Sequence, residues 1–379
     1  MKILFVTGSR GEWGYIRPIL EIIDKDPNIE YELCVTNMHL LPSFGNSYLE
    51  IEKDGFKIHH KIHMSLDGYD HFTQVKSLGI FFSSFSDVVT NSKPDWILLA
   101  GDRGEQLIAA TVGAYSYIPV AHIQAGEKSG NIDGTSRHAI GKFAHIHFAA
   151  NKDASDRLIK LGEEDFRVHN VGAPQIDELV KARITPLEVL EEKYSVSLEN
   201  YFLFVQHPIT EEFDQVKEQI EISIEALNNF SEIPIITILP NNDAGSIVIN
   251  TTIHEKANSN FYKFANLTRE DYLGFLKYCK VIIGNSSSGL LEAPTLNTPA
   301  VNIGRRQDGR VQGINVINCS HNKDEIINAI NKAIDPKFKE HLNQKCKNPY
   351  GDGNSSEKII KILTECEINN KLVVKSLTY

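Results

Sequence analysis

Short apolar, β-branched runs alternate with longer amphipathic stretches along this chain. That alternation constrains the fold more than any other feature, because it yields parallel strands joined by helices. In the first half the strand-like runs are 2–7 (K-I-L-F-V-T), 30–36, 95–100 (D-W-I-L-L-A), 118–123, 145–150 and 167–171. In the second half they are 201–206 (Y-F-L-F-V-Q), 233–239, 280–283, 299–303 and 314–318, with helical spacing over 211–229 and 269–278. The pattern restarts near residue 200, after a polar stretch over 181–200 in which Pro186 suits a helix start. The expected architecture is α/β, with two doubly wound Rossmann-like domains, 1–180 and 181–379, facing a cleft. The segment 355–366 reads as an amphipathic helix, with Ile359, Ile360 and Leu363 on one face suited to pack back on the first domain.

A length of 379 residues fits two domains. The net charge of −10 argues against a nucleic-acid partner, which calls for a basic face to displace counterions, so an anionic ligand must meet locally placed cations. The first apolar run is too short for a signal peptide or a spanning helix, and no basic amphipathic helix suggests a membrane surface. Five cysteines, at 34, 279, 319, 346 and 366, lack any C-x-x-C pairing and fit reduced thiols in a cytoplasm.

The carboxyl ends of parallel strands are where ligands bind, and three loop tips at such ends carry chemistry: G-D-R-G-E at 101–105, Q-A-G-E…D-G-T-S-R-H at 124–138 and G-N-S-S-S-G at 284–289. The first two combine carboxylates with cations and suit proton transfer beside a phosphate. In the third, Gly284 and Gly289 permit close backbone approach, the serines add donors, and a following helix supplies aligned amides, with Glu292 placed to accept from ribose hydroxyls. An ordinary N-cap by Ser288 is the alternative; the lysine of a P-loop is missing. Arg10, at the end of the first run, fits a phosphate or carboxylate contact. Asp102 and Arg103 fit either a capping aspartate with its salt bridge or a carboxylate held beside a cation; His207 in V-Q-H-P fits either a loop hydrogen bond or a functional imidazole. His145 and His147 share a strand face but have no third ligand spaced for zinc, so no metal site is expected.

Taken in order, S-R-G-E-W (9–13), V-T-N-M-H-L (35–40), G-D-R-G-E (101–105), H-I-Q-A-G-E (122–127), I-D-G-T-S-R-H-A-I-G-K (132–142), V-G-A-P (171–174), Q-H-P (206–208), N-L-T-R-E-D-Y (266–272), G-N-S-S-S-G (284–289) and N-I-G-R-R-Q-D-G-R (302–310) resemble the hydrolysing nucleotide-sugar 2-epimerases. These act in sialic and legionaminic acid synthesis. The resemblance spans nearly the whole chain and implies the two-domain glycosyltransferase-B architecture, with catalytic acids in the first domain and the nucleotide on the second. It implies a two-stage reaction: loss of the C2 proton with expulsion of the nucleoside diphosphate from C1, then hydration of the 2-acetamidoglycal with reprotonation on the opposite face. No redox cofactor and no metal are required. The implied partners are a UDP-2-acetamido sugar as substrate and further copies of the chain in a homodimer or homotetramer.

Carried over by position, the resemblance puts catalytic acids at Asp102 and Asp133, a histidine at His207, and nucleotide contacts at Arg10, Ser286, Ser287 and Glu292; Arg103, Gly284, Asn285 and Arg305 complete the expected nucleotide-binding set. Gln124 stands where sialic-acid members usually carry Glu, and a carboxamide takes no proton at neutral pH. Glu127 is therefore expected to join Asp102 and Asp133 as the acid/base set, with Gln124 positioning the sugar. H-I-Q-A-G-E looks closer to the branch using UDP-N,N'-diacetylbacillosamine than to the one using UDP-N-acetylglucosamine, and the base can be uracil or guanine. Rival readings are a non-hydrolysing 2-epimerase, a glycosyltransferase of the same architecture and a catalytically silent nucleotide-sugar sensor.

Overall fold

The computed structural model describes residues 1–67, 70–128, 132–181, 184–240, 243–376 and 378. The chain divides into two compact units, one of Met1–Lys128, Ile132–Glu178 and Tyr350–Tyr379, the other containing Leu179–Pro349.

Unit 1 is built on β1 (Lys2–Thr7), β2 (Glu30–Thr36), β3 (His60–Ile62), β4 (Trp96–Ala100), β5 (Val120–Ile123), β6 (Ile146–Ala149) and β7 (Val168–Asn170), in the spatial order 3-2-1-4-5-6-7. Every pairing is parallel. Alternate residues of a strand face opposite sides of the sheet, so Ile3 and Phe5 pack in one apolar core while Leu4 and Val6 pack in another. The first core is closed by the helices Arg10–Ile23 and Ser355–Glu365, the second by His71–Ser92 and Gly104–Tyr115. Unit 2 repeats the plan with β8 (Phe202–Val205), β9 (Ile235–Ile238), β10 (Phe261–Phe264), β11 (Val281–Gly284), β12 (Ala300–Ile303) and β13 (Val316–Cys319), in the order 3-2-1-4-5-6 of that unit. Phe202 and Phe204 enter one of its cores, Leu203 and Val205 the other.

In each unit the strand order reverses beside the first strand, between β1 and β4 and between β8 and β11. The crevice at such a switch point is where open α/β sheets bind ligands. The strand runs read from the sequence are all strands; β3 and β10 escaped that reading. The structure places Tyr350–Tyr379 with unit 1: Ile359, Ile360, Leu363 and Leu372 share a core with Ile16, Ile19 and Ile23, and the Asp177 carboxylate accepts from the amides of Ser355 and Ser356 at 2.9 and 2.5 Å.

Candidate functional site

In unit 1 the chemistry collects at the carboxyl ends of β4, β5 and β6. Asp102 lies in the turn leaving β4, and Glu127 in the loop leaving β5. The helix Ile132–Phe143 carries Asp133 in its first turn and Arg137 four residues on, so the two share a face. Arg137 is 1% exposed, and its guanidinium makes an ion pair with Asp102 and a second, 3.5 Å long, with Glu127. Asn151, just past β6, donates to the other Glu127 oxygen at 3.3 Å while its own oxygen caps the next helix by accepting from the Ala154 amide. A buried carboxylate is costly unless it is paired, and one cation here answers two of them. Asp102 remains partly exposed on its carboxylate. His122, held neutral by burial with its pKa down at about 3, donates from Nε2 to the Gly101 carbonyl at 2.6 Å and so fixes the turn behind Asp102.

Gln124 is buried with positive φ (59°), its amide nitrogen reaching Gln175 at 3.4 Å and its carbonyl oxygen left without a partner among the described residues. Arg10 opens the helix after β1 and forms a bidentate pair with Glu50, 2.6 and 3.1 Å. Arg103 donates to Glu105 at 3.3 Å. Glu105 also accepts from Asn37, and a Cβ on Gly8 would fall 2.1 Å from its oxygen, so a larger residue there would have to displace the Glu105 carboxylate. Burial, and then the neighbouring Glu105 carboxylate, pushes the Glu12 carboxyl well above its ordinary range.

In unit 2, β11 ends on Gly284 with φ at 122°, its α-carbon so close to the Val205 carbonyl that an added Cβ would sit 2.1 Å from that oxygen. Asn285 ties two loops: its side chain accepts from the His207 amide at 2.7 Å and donates to the His207 carbonyl at 2.8 Å, while its own carbonyl accepts from Gln307 and Arg306. The Asn285 side chain thus holds His207 in place. The N-cap position is Ser287, whose side chain makes no capping hydrogen bond, and Ser286 accepts from the Ser288 amide at 3.3 Å, so the expected cap by Ser288 is not what forms. Ser286 and Ser287 precede a single helical turn, Ser288–Leu291. Glu292 is 6% exposed and paired to Arg269 at 2.5 Å, and Tyr272, half-buried beside the serines, has its phenol pushed up by desolvation and by Glu292. Arg305 is ion-paired to Glu212.

The acid/base candidates Asp102, Glu127 and Asp133, with Gln124, Arg10 and Arg103, therefore lie in unit 1, while His207, Gly284, Asn285, Ser286, Ser287, Glu292 and Arg305 lie in unit 2. Sequence reasoning gave no role to Arg137, Asn151 or Arg269. The signals were present: Arg137 sits one helical turn from Asp133, and Asn151 stands between a strand run and a helix. Among the described residues no group of three or more His, Cys, Asp or Glu could hold a metal ion, and no helix is long and apolar enough to cross a membrane.

Two doubly wound parallel sheets, each with a polar cluster at its switch point, define a two-domain protein of the glycosyltransferase-B fold class. The sequence profile of the UDP-N-acetylglucosamine 2-epimerase family matches residues 21–364, and the chain belongs to that family. It is 34% identical to a hydrolysing UDP-N,N'-diacetylbacillosamine 2-epimerase of Legionella pneumophila, over all of this chain and 99% of that one. A hydrolysing GDP/UDP-N,N'-diacetylbacillosamine 2-epimerase of Campylobacter jejuni is 35% identical over 90% of this chain and 89% of its own. The crystal structure of a UDP-N-acetylglucosamine 2-epimerase from Neisseria meningitidis, bound to UDP-N-acetylglucosamine, superposes with a TM-score of 0.83 at 21% identity, covering 97% of this chain and 100% of that one.

Proposed function

We propose that the chain is a hydrolysing 2-epimerase acting on a nucleoside-diphosphate 2-acetamido sugar, with UDP-N,N'-diacetylbacillosamine as substrate and free 2,4-diacetamido-2,4,6-trideoxymannose and UDP as products. The reading rests above all on Arg137, which binds Asp102 and Glu127 at once at the carboxyl edge of the unit 1 sheet. Breaking the C2–H and C1–O bonds requires a carboxylate to take the C2 proton while cations and amides accept the charge of the departing diphosphate. Hydration of the resulting C1=C2 bond then places hydroxide on C1 and a proton on C2 from the opposite face. Asp102, Glu127 and Asp133 are the proton carriers in this reading. Ser286, Ser287, Arg10, Arg103 and Arg305 take the phosphates, Gly284 gives the close backbone approach, Asn285 holds His207, and Glu292 takes the ribose.

Gln124 fits an acetamido sugar, a requirement that both candidate substrates meet. Its buried carbonyl oxygen has no partner among the described residues, and an acetamido N–H on the substrate would satisfy it. The choice of the diacetamido sugar is supported by the hydrolysing relatives named for it, at 34% and 35% identity. Incubation of the protein in heavy water with UDP-N,N'-diacetylbacillosamine, its GDP counterpart and UDP-N-acetylglucosamine, followed by NMR, tests the reading. The expected result is free UDP, free 2-epimerised sugar and one deuterium at C2, fastest with the first substrate. Sugar that stays on the nucleotide after epimerisation, or intact substrate after prolonged incubation, would reject it.

A further inference from the structure

An α-helix leaves its last carbonyls without intrahelical partners, and the residues that answer them fix where the helix ends. For Ile132–Phe143 the answer comes from far along the chain. The Lys375 ammonium donates to Gly141 O at 2.5 Å and Ala144 O at 2.7 Å, with Lys142 O at 3.4 Å. A cation there also meets the negative end of the helix dipole. The ammonium is held in turn: Lys375 pairs with Glu163 at 2.5 Å, and Glu163 also accepts from His147 at 2.9 Å and from Lys142 at 3.0 Å. Lys375 is only 11% exposed on its side chain, so it is a built contact and not a surface lysine folded down.

The segment that delivers Lys375 is anchored twice more. Asn369 caps the short helix Asn370–Val373 by accepting from the Leu372 amide at 3.2 Å, and Leu372 is buried in the unit 1 core. Arg167, fully buried, donates to the carbonyls of Leu372 and Lys371, both at 2.8 Å, and to that of His145 at 3.2 Å. Residues 369–375 are therefore a rigid clasp whose tip closes the helix carrying Asp133 and Arg137. Those two side chains sit on the first half of a helix 12 residues long, and a helix that frays from its carboxyl end loosens toward them.

We propose that Lys375 is a positioning residue, which closes the carboxyl end of the Ile132–Phe143 helix and thereby holds Asp133 and Arg137 where proton transfer requires them. This rests on the roles given to those two residues under the proposed function. A displacement of about 1 Å at such a group can cost on the order of 10²-fold in rate. Lys375→Met should lower kcat by roughly 10- to 100-fold with the dissociation constant of UDP unchanged, and should speed hydrogen exchange of the amides at 138–144 by about tenfold or more. Lys375→Arg, which restores a cation at the helix end, should recover a large part of both. Unchanged kcat in Lys375→Met alongside a lower melting temperature would overturn the proposal, because that is what a purely structural contact does. So would a fall in kcat without faster exchange in that helix. If Lys375→Met does not fold, Lys375→Arg carries the test: kcat and helix protection must move together, and either moving alone overturns it. If the wild-type protein turns over none of the nucleotide sugars, the epimerase reading fails on its own account, and the exchange measurement still decides whether Lys375 secures the helix.

Discussion

Arg137 concentrates the chemistry of unit 1 in one side chain. It is buried, it compensates two carboxylates, and it stands four residues from a third on the same helix. Replacing it by methionine roughly keeps the volume and removes the charge, which takes this ion pair from the buried Glu127 carboxylate. Removing one partner of a buried pair costs about 3–5 kcal/mol. Arg137→Met should therefore lower the midpoint of thermal unfolding by several degrees and reduce turnover by about 10²-fold or more, as expected when electrostatic support for a developing charge is lost. Wild-type turnover in this variant would clear Arg137 of the role. Asp102 and Asp133 were picked out because G-D-R and I-D-G resemble the family's motifs, and Glu127 because the nearby Gln124 takes no proton. Arg137 was not, because its importance lies in reaching two loops whose sequence positions, 102 and 127, say nothing of their separation in space. Gln124 drew notice as a departure from the usual residue; that its oxygen is buried without a partner among the described residues could not be read from the chain.

At the scale of elements, the central strands were readable because strands covered on both faces are continuous apolar runs. The two that were missed, β3 and β10, are each the outermost strand on the same side of their sheets. Their sequences, H-K-I and F-Y-K-F, carry a lysine and are largely half-buried, so the apolar signal is interrupted where the sheet meets solvent. The turn leaving β11 shows the opposite case, a glycine whose need is visible in sequence and whose reason is visible only in structure. Gly284 combines φ of 122° with an approach to Val205 O that leaves no room for a Cβ. Gly284→Ala should cost at least about 1–3 kcal/mol of stability from backbone strain. It should also push β11 away from β8, loosen the tie between Asn285 and His207, and weaken UDP binding. Thermal unfolding and a UDP titration measure both effects, and an alanine variant that matches wild type in each would remove the steric argument.

At the scale of the molecule, the strand order repeats while the chain does not divide at a single point. Residues 350–379 follow unit 2 in sequence and complete unit 1 in space. Ile359, Ile360, Leu363 and Leu372 are all buried in the core that also holds Ile3, Phe5 and Leu98. Burying each such side chain contributes about 1.5–3 kcal/mol, so the four together supply roughly 6–12 kcal/mol, as much as the whole net stability of an ordinary domain at about 5–15 kcal/mol. Asp177 and Arg167 would lose their partners in the same cut, the first its two amides at Ser355 and Ser356, the second its carbonyls at Lys371 and Leu372. Among the described residues, the two large apolar clusters of unit 2 draw only on positions between 187 and 334, so the cut takes nothing from them. A chain ended after Pro349 should therefore be cut rapidly by protease throughout 1–178 while a fragment covering 179–349 persists, and it should show no turnover. Limited proteolysis read by mass spectrometry checks this directly: equal survival of the two regions would mean that unit 1 does not depend on its returning segment, and equal loss would mean that unit 2 does not hold together on its own core.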